Sequence, residues 1–475
     1  MRSAIRTGAA AILLLGPVAL AFRSGGYFSE PRLAAGIVAW LLAAVGFALG
    51  AGPLPRSAPG RLAVGGLAAL VAMVGLSIFW APIAGLAQSD LQRLLLYLGA
   101  MLAGVALFRG REGLKTVEPA LMAGILVVIA YALSARLLPG VIDQQASRSA
   151  AGRLEQPLTY WNAVGALAAV GFVLAVRVAG DRGRERWLAA LGAAASAPLA
   201  LGVYLSFSRG ALLALLLGLV VIAVAGSDRA QVRVMASCGL AGIVASVAAA
   251  LLPAVRALEG SMAAREAQGA AMAVVLLAVM GLSAYAAVRL REGAPPGRVR
   301  VPWIAVAGAV VIIAGGFALV ASGAGNRDGQ PRVGADTRRL ASFESNRYEY
   351  WQVAGRMFAG APLAGEGSGS FRVVWRQERT INDPALDAHS LPVETAAELG
   401  LLGLLALAAM IGGVAWTLAR LLRARRSEAV GVTAALSAFA LHSAIDWDWE
   451  MPTLALVAVL LAAAAVAALD EAQAG

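Results

Sequence analysis

Two short stretches of this chain combine groups able to hold an anion and to move a proton. Ser206-Phe207-Ser208-Arg209-Gly210 opens one apolar run, and Asp387-Ala388-His389-Ser390 precedes another. Arginine is permanently cationic, and its planar fork meets phosphate or carboxylate oxygens in pairs. Histidine titrates near neutrality and serves as a general base or acid. Only two histidines occur in 475 residues. Arg209 and His389, placed at one interface of an otherwise apolar chain, point to an anionic substrate carried by a lipid.

The elements that must position them follow from composition. Hydrophobic residues make up 60% of the chain and charged residues 14%, with a mean hydropathy of +0.75. A water-soluble domain does not carry so little charge, so the expected solvent is a bilayer. Fourteen apolar stretches, the first at 7–22 and the last at 452–469, are long enough to span one. The expected fold is an all-α polytopic integral membrane protein with about 12–14 transmembrane helices. Residues 1–21 have the look of a signal peptide but are read as an uncleaved first span, since many further spans follow. Lys115 is the only lysine among 39 basic residues, and Ala and Gly abound, the bias of a GC-rich bacterial coding sequence. Cys238 stands alone, which excludes an intramolecular disulfide.

The net charge of +11 invites a nucleic-acid reading, but its distribution argues against one. With a cytoplasmic N-terminus, 21 of the 39 basic residues fall in inside loops and 9 in short outside loops. That asymmetry is the positive-inside pattern, with both termini in the cytoplasm. The remaining 9 belong to one long segment, 323–392, which also holds 8 acidic side chains. A loop of that length is expected to be functional, partly folded and extracytoplasmic. Within it, Ser345 or Asn346 can cap a helix carrying Tyr350 or Trp351, Ala354 and Phe358, laid on the membrane surface and stopped at Gly360-Ala361-Pro362. The chain divides into N-terminal membrane helices (1–150), a catalytic region (151–450) and a last helix with a short tail (451–475).

Each chemical residue also has a plainer reading. Arg209 can be a snorkelling helix end, and Arg347 of the long segment can pair with Glu344 or Glu349. His442 lies four residues before Asp446, which predicts a structural hydrogen bond. Glu398 falls inside an apolar run, where a carboxylate needs a polar partner. Gly365, Gly367 and Gly369 read as turn residues, and Trp80, Trp447 and Trp449 as an interfacial belt. The histidines and the cysteine are too scattered for a recognisable zinc site.

Several of these stretches carry a resemblance. Ser208-Arg209-Gly210-Ala211-Leu212-Leu213 resembles the Ser-Arg-Gly signature of the O-antigen ligase and polymerase family. Arg347 with Trp351 and the run Pro362 to Phe371 are similar to the same family, as is Ala388-His389-Ser390 followed by Ala397 to Gly403. Pro157 to Asn162 and His442 to Asp446 have counterparts, so the likeness runs from about residue 150 to 450. The chain departs from the family at Ser390, Pro392 and Trp161.

The resemblance implies transfer of a glycan from a polyprenyl-diphosphate carrier to an acceptor hydroxyl, on the outer face of a bacterial plasma membrane. No cofactor, nucleotide or metal is implied. The acceptor is a glycan, a glycolipid or a protein, which leaves ligase, polymerase and protein O-oligosaccharyltransferase open; the other partner is the bilayer. His389 becomes the catalytic base, Arg209 and Arg347 the diphosphate ligands, and Ser208, Asn162, Glu398 and Asp446 supporting residues. The competing class is a lipid-linked glycan transporter or flippase. Transporters concentrate polar groups near the bilayer midplane, whereas here they gather toward one face.

Overall fold

A computed structural model of the chain describes residues 1–50, 52, 54–109, 113–142, 144–145, 147–226, 228–299, 302–321, 334–335, 345–424 and 426–473. The helices in order are α1 (Arg2–Ala21), α2 (Ser29–Ala48), α3 (Ala58–Ser77), α4 (Ala84–Leu107), α5 (Gly113–Leu137), α6 (Trp161–Gly180), α7 (Arg186–Ser206), α8 (Arg209–Ala225) and α9 (Arg229–Ala250). They continue with α10 (Pro253–Ala257), α11 (Met262–Glu292), α12 (Trp303–Ala321), α13 (Arg347–Gly360), α14 (Phe371–Glu378), α15 (Leu391–Ala424), α16 (Arg426–Ser443) and α17 (Pro452–Ala472). Among the described residues, eleven helices are long and apolar enough to cross a membrane, and α8 is a shorter apolar helix of 17 residues. Each of the fourteen apolar stretches holds a helix, so the chain is an all-α polytopic membrane protein.

One boundary differs from the hydropathy reading. The third apolar stretch, which hydropathy runs from 62 to 86, breaks after Ser77, because Phe79 to Pro82 form a turn and α4 begins at Ala84. Proline lacks the N–H a continuing helix would need. The turn is apolar, so hydropathy does not reveal it.

The two helices at the centre, α6 and α17, are buried along their whole apolar length. Around α17 stand α1, α4, α5, α15 and α16; around α6 stand α5, α7, α8, α9 and α16. Lipid supplies no hydrophobic force between helices, so close packing of small residues has to hold them. At the α3–α15 contact the backbones nearly touch. A Cβ on Gly66 would stand 2.2 Å from the Met410 nitrogen, and one on Gly413 2.3 Å from the Ala63 nitrogen.

Helix ends gather into two polar layers. One holds Arg184 against Glu118 at 2.7 Å, Arg177 against Asp181 at 2.9 Å, and Asp470 accepting from the backbone of Arg56 and Ser57 at 2.8 Å. The other holds Arg136 donating to the Val255 carbonyl at 2.7 Å, the Asp90–Arg93 pair at 3.0 Å, and Ser368 donating to Asp90 at 2.7 Å.

On the second layer sits a small separate core built from α13, α14 and the start of α15. Tyr350, Val353, Ala354 and Met357 bury one face of α13 against Phe371, Trp375, Ala388 and Ala397. The helix therefore packs on protein rather than resting on the membrane, and Phe358 lies off its buried face. Its stop at Gly360 agrees with the expected signal. Asn346 precedes its first turn without a side-chain cap. Much of the long segment, Glu344 included, lies outside the described residues.

Candidate functional site

A cavity of about 530 Å³ opens in the second polar layer. It brings Arg209, Arg347, His389 and Asn162 to one wall system from four separate parts of the chain. Each owes its place to a local device.

Arg209 is the first residue of α8. The α7 helix ends at Ser206, and Phe207, fully buried, turns the chain with a left-handed φ of 50°. Ser208 then caps α8, its hydroxyl accepting from the Ala211 N–H at 3.3 Å. Ser208 is thus a positioning residue outside the cavity lining. Gly210 follows in a crowded place: a Cβ there would lie 3.0 Å from His442 Nε2, so a larger residue would have to push His442 aside.

Arg347 begins α13 and is held by a buried carboxylate. Its Nη2 donates to Asp446 at 2.5 Å, the same group that accepts from Tyr160 at 2.7 Å and Asn162 at 2.8 Å. The Trp447 N–H adds a fourth bond at 3.0 Å. Asp446 is 1% exposed, and its burial alone would raise its pKa. The Arg347 guanidinium overrides that and keeps the carboxyl below its ordinary range. Arg347 therefore pairs with Asp446 rather than Glu349, which instead accepts from Thr380. Asp446 touches the site without lining the cavity, and it joins α6, α13 and the turn after α16.

His389 adopts a φ of +54°, a left-handed conformation that non-glycine residues rarely occupy. Its Nδ1 lies 2.9 Å from the Asp387 carbonyl oxygen. A carbonyl can only accept, so Nδ1 carries the hydrogen, and in the neutral ring the lone pair is on Nε2. The backbone of Asp387, not its carboxylate, orients the ring. That carboxyl is buried, which raises its pKa despite Arg372 and His389 nearby. Tyr350 lies 5.0 Å and Trp447 6.4 Å from the imidazole, centroid to centroid. The corner is pinned by Trp351 donating to the Ala388 carbonyl at 3.1 Å and by the Ala388 N–H donating to Glu394 at 2.7 Å. Thr159, beside Tyr160, has a φ of 65° and Ala151, in the cavity wall, one of 46°, so with Phe207 and His389 four left-handed non-glycine residues sit at or next to the site. Strain of this kind persists only where the surroundings over-determine it.

Three expectations are corrected. His442 bonds Asp448 at 2.6 Å, not Asp446, because α16 ends at Ser443 and the i+4 relation no longer holds. Glu398 lies away from the cavity: it accepts from the N–H groups of Gly369 at 2.9 Å and Phe371 at 3.0 Å, capping α14. Two of the three tryptophans leave the expected interfacial belt, while Trp80 stays exposed in the turn after α3. Trp447 lines the cavity 4.5 Å from Tyr160, and Trp449 is buried against Tyr97 at 4.8 Å. The turn reading of Gly365, Gly367 and Gly369 agrees with their φ values of 65°, 98° and 77°.

Other lining residues receive no site role from the sequence, although Trp161 stands in the family-like run Pro157 to Asn162. Trp161 is covered by the Arg153 guanidinium at 3.5 Å, while Arg153 donates to the carbonyls of Ala150 and Ser149. Tyr27, from the turn before α2, reaches in beside Trp447 at 5.7 Å. The cavity thus presents four arginines (Arg148, Arg153, Arg209 and Arg347) against two aspartates (Asp383 and Asp387), an imidazole and a wall of aromatic rings. That set can neutralise an anion, accept a proton and face a flat apolar surface such as a sugar ring. Among the described residues, no cluster of three or more His, Cys, Asp or Glu is disposed to hold a metal.

Residues 262–408 match the family model described as O-antigen ligase. That stretch is similar to an O-antigen ligase domain. No curated protein matches the chain. Arg347, His389 and Glu398 fall inside the matched stretch; Arg209, Asn162 and Asp446 come from flanking helices and turns. The cavity is therefore made jointly by that stretch and by the bundle that holds it.

Proposed function

We propose that this protein transfers a glycan from a polyprenyl-diphosphate carrier to an acceptor hydroxyl at the extracytoplasmic face of a bacterial plasma membrane. The observation that carries the reading is the convergence of Arg209, Arg347 and His389 on one cavity. In the proposed step the acceptor oxygen bonds the anomeric carbon while the bond from that carbon to the diphosphate oxygen breaks. His389 Nε2 takes the acceptor proton, and the polyprenyl diphosphate leaves with the electron pair. Negative charge grows on the leaving oxygen, where the guanidinium forks of Arg209 and Arg347 stabilise it more in the transition state than in the ground state. Asp446 supports Arg347, and the aromatic wall suits the saccharide.

A purified-protein assay with a polyprenyl-diphosphate glycan and separate glycan, glycolipid and protein acceptors tests this. Product size tells a single transfer from repeated addition. Arg209→Lys keeps the charge and loses the fork, so turnover should fall while the protein still inserts. Arg347→Ala should weaken use of the donor more than use of the acceptor. Full activity in both variants at normal abundance would end the diphosphate reading, and movement of the intact lipid-linked glycan without transfer would favour a flippase.

A further inference from the structure

A second space lies on the other side of the two chain corners that build the site. It is a cleft of about 280 Å³ between α15 and α16, floored by α3, α4 and α17. Its walls are Ile411, Val414 and Leu418 on one side and Leu436, Phe439 and Ala440 on the other. No charged side chain lines it among the described residues. Ile411, Ala415 and Ala440 are exposed along it, so it opens sideways to hydrocarbon rather than to water. Its outer end is formed by Leu391 and Pro392, directly after the His389-Ser390 corner, and by Ser443 and Ala444, one residue short of the Ile445-Asp446 corner.

Apolar space of this size is rare between packed helices, and the α3–α15 contact nearby shows how closely this bundle packs elsewhere. A lipid whose diphosphate meets Arg209 and Arg347 must lead its chain out of the polar layer beside these corners. We propose that the α15–α16 cleft binds the head-proximal isoprene units of that lipid diphosphate, the rest of the chain passing into the bilayer. This rests on the polyprenyl-diphosphate reading of the cavity. A larger groove of about 540 Å³ between α1 and α2 is the rival, but it touches neither corner.

The test is photolabelling of the protein in phospholipid nanodiscs with a farnesyl diphosphate bearing a diazirine on its isoprenoid chain, with adducts mapped by mass spectrometry. Adducts should fall on 410–418 and 436–444 and be competed by unlabelled polyprenyl diphosphate. Ala415→Phe and Ala440→Phe fill the cleft from its lipid side and should cut labelling roughly tenfold. Leu405→Phe, exposed elsewhere on α15, should leave it unchanged. The map of the parent protein holds even if a filled variant fails to insert. Adducts in the α1–α2 groove, or uncompeted adducts spread over lipid-facing helices, overturn the proposal. Glycan transfer together with such adducts would leave the reaction standing and remove only the cleft. Competed adducts in the cleft, in a protein that transfers no glycan, would keep the cleft and remove the reaction.

Discussion

At His389 the backbone and the side chain make opposite demands. A left-handed φ at a non-glycine residue costs about 1–2 kcal/mol, and glycine would relieve it at the expense of about 0.4–1 kcal/mol of unfolded-chain entropy. His389→Gly should therefore be more resistant to thermal unfolding than His389→Ala, by up to about 1 kcal/mol. Both should lose transfer by roughly 10²–10⁴-fold, the usual worth of a general base. Equal stability of the two variants would mean the corner is unstrained, and parent-rate transfer by either would remove His389 from the chemistry. Asp446 makes the complementary case for a residue that acts through another. Asp446→Asn leaves the buried Arg347 charge without its partner, a change that costs about 3–5 kcal/mol when a buried pair is broken. Because the folded carboxyl lies below its ordinary value of about 3.9, its contribution is fully present above that pH and is lost as the pH falls through the lower folded value. Melting temperatures of parent and variant should consequently converge in acid, below about pH 4. A gap that stays constant from neutrality to about pH 3 would contradict the assignment.

At the scale of elements, what the sequence disclosed and what it hid have separate physical causes. Helix positions were legible because lipid-facing and buried helices alike must be apolar, so hydropathy reports them; Arg209 and His389 stood out because such groups are costly beside apolar runs, and Arg347, one of nine basic residues in a polar segment, only through the family resemblance. The partners were not. Tyr160 and Asp446 lie 286 residues apart, and Arg347 and Asp446 99 apart, so no local spacing predicts their bonds. Trp447 was misread because an aromatic residue at a membrane interface looks the same whether it faces lipid or a cavity. The Ser-Arg-Gly run shows how a motif acquires physical meaning only in the fold: Gly210 is small because His442, fixed by Asp448 at 2.6 Å, occupies the place of its side chain. Gly210→Ala should destabilise the protein by about 1–3 kcal/mol and displace Arg209 from the cavity. Gly239→Ala, in α9 with nothing within 4 Å of the added carbon, should instead be neutral or stabilising by up to about 1 kcal/mol. Similar melting curves for the two variants would show that the His442 contact has slack.

For the whole molecule, the two polar layers are different in kind, and the difference assigns a direction. One layer joins loops that hold Arg177, Arg182, Arg184 and Arg186, together with the ends of α5, α9, α11 and α15, where basic residues exceed acidic ones. The other holds the cavity, the α13–α14 core and the buried carboxylates Asp446, Asp448 and Glu450. Positive charge resists translocation, so the first layer should remain cytoplasmic and the second should face outward, with both termini inside. Ser149, exposed at the cavity rim, and Ser427, exposed at the start of α16, report the two layers. With the buried Cys238 replaced by Ala, Ser149→Cys should react with an impermeant maleimide in intact cells, and Ser427→Cys only after the membrane is opened. Reaction of Ser427→Cys alone in intact cells would invert the molecule. The arginines and His389 would then face cytoplasmic water, and a glycan carried on the outer leaflet would have no access to them.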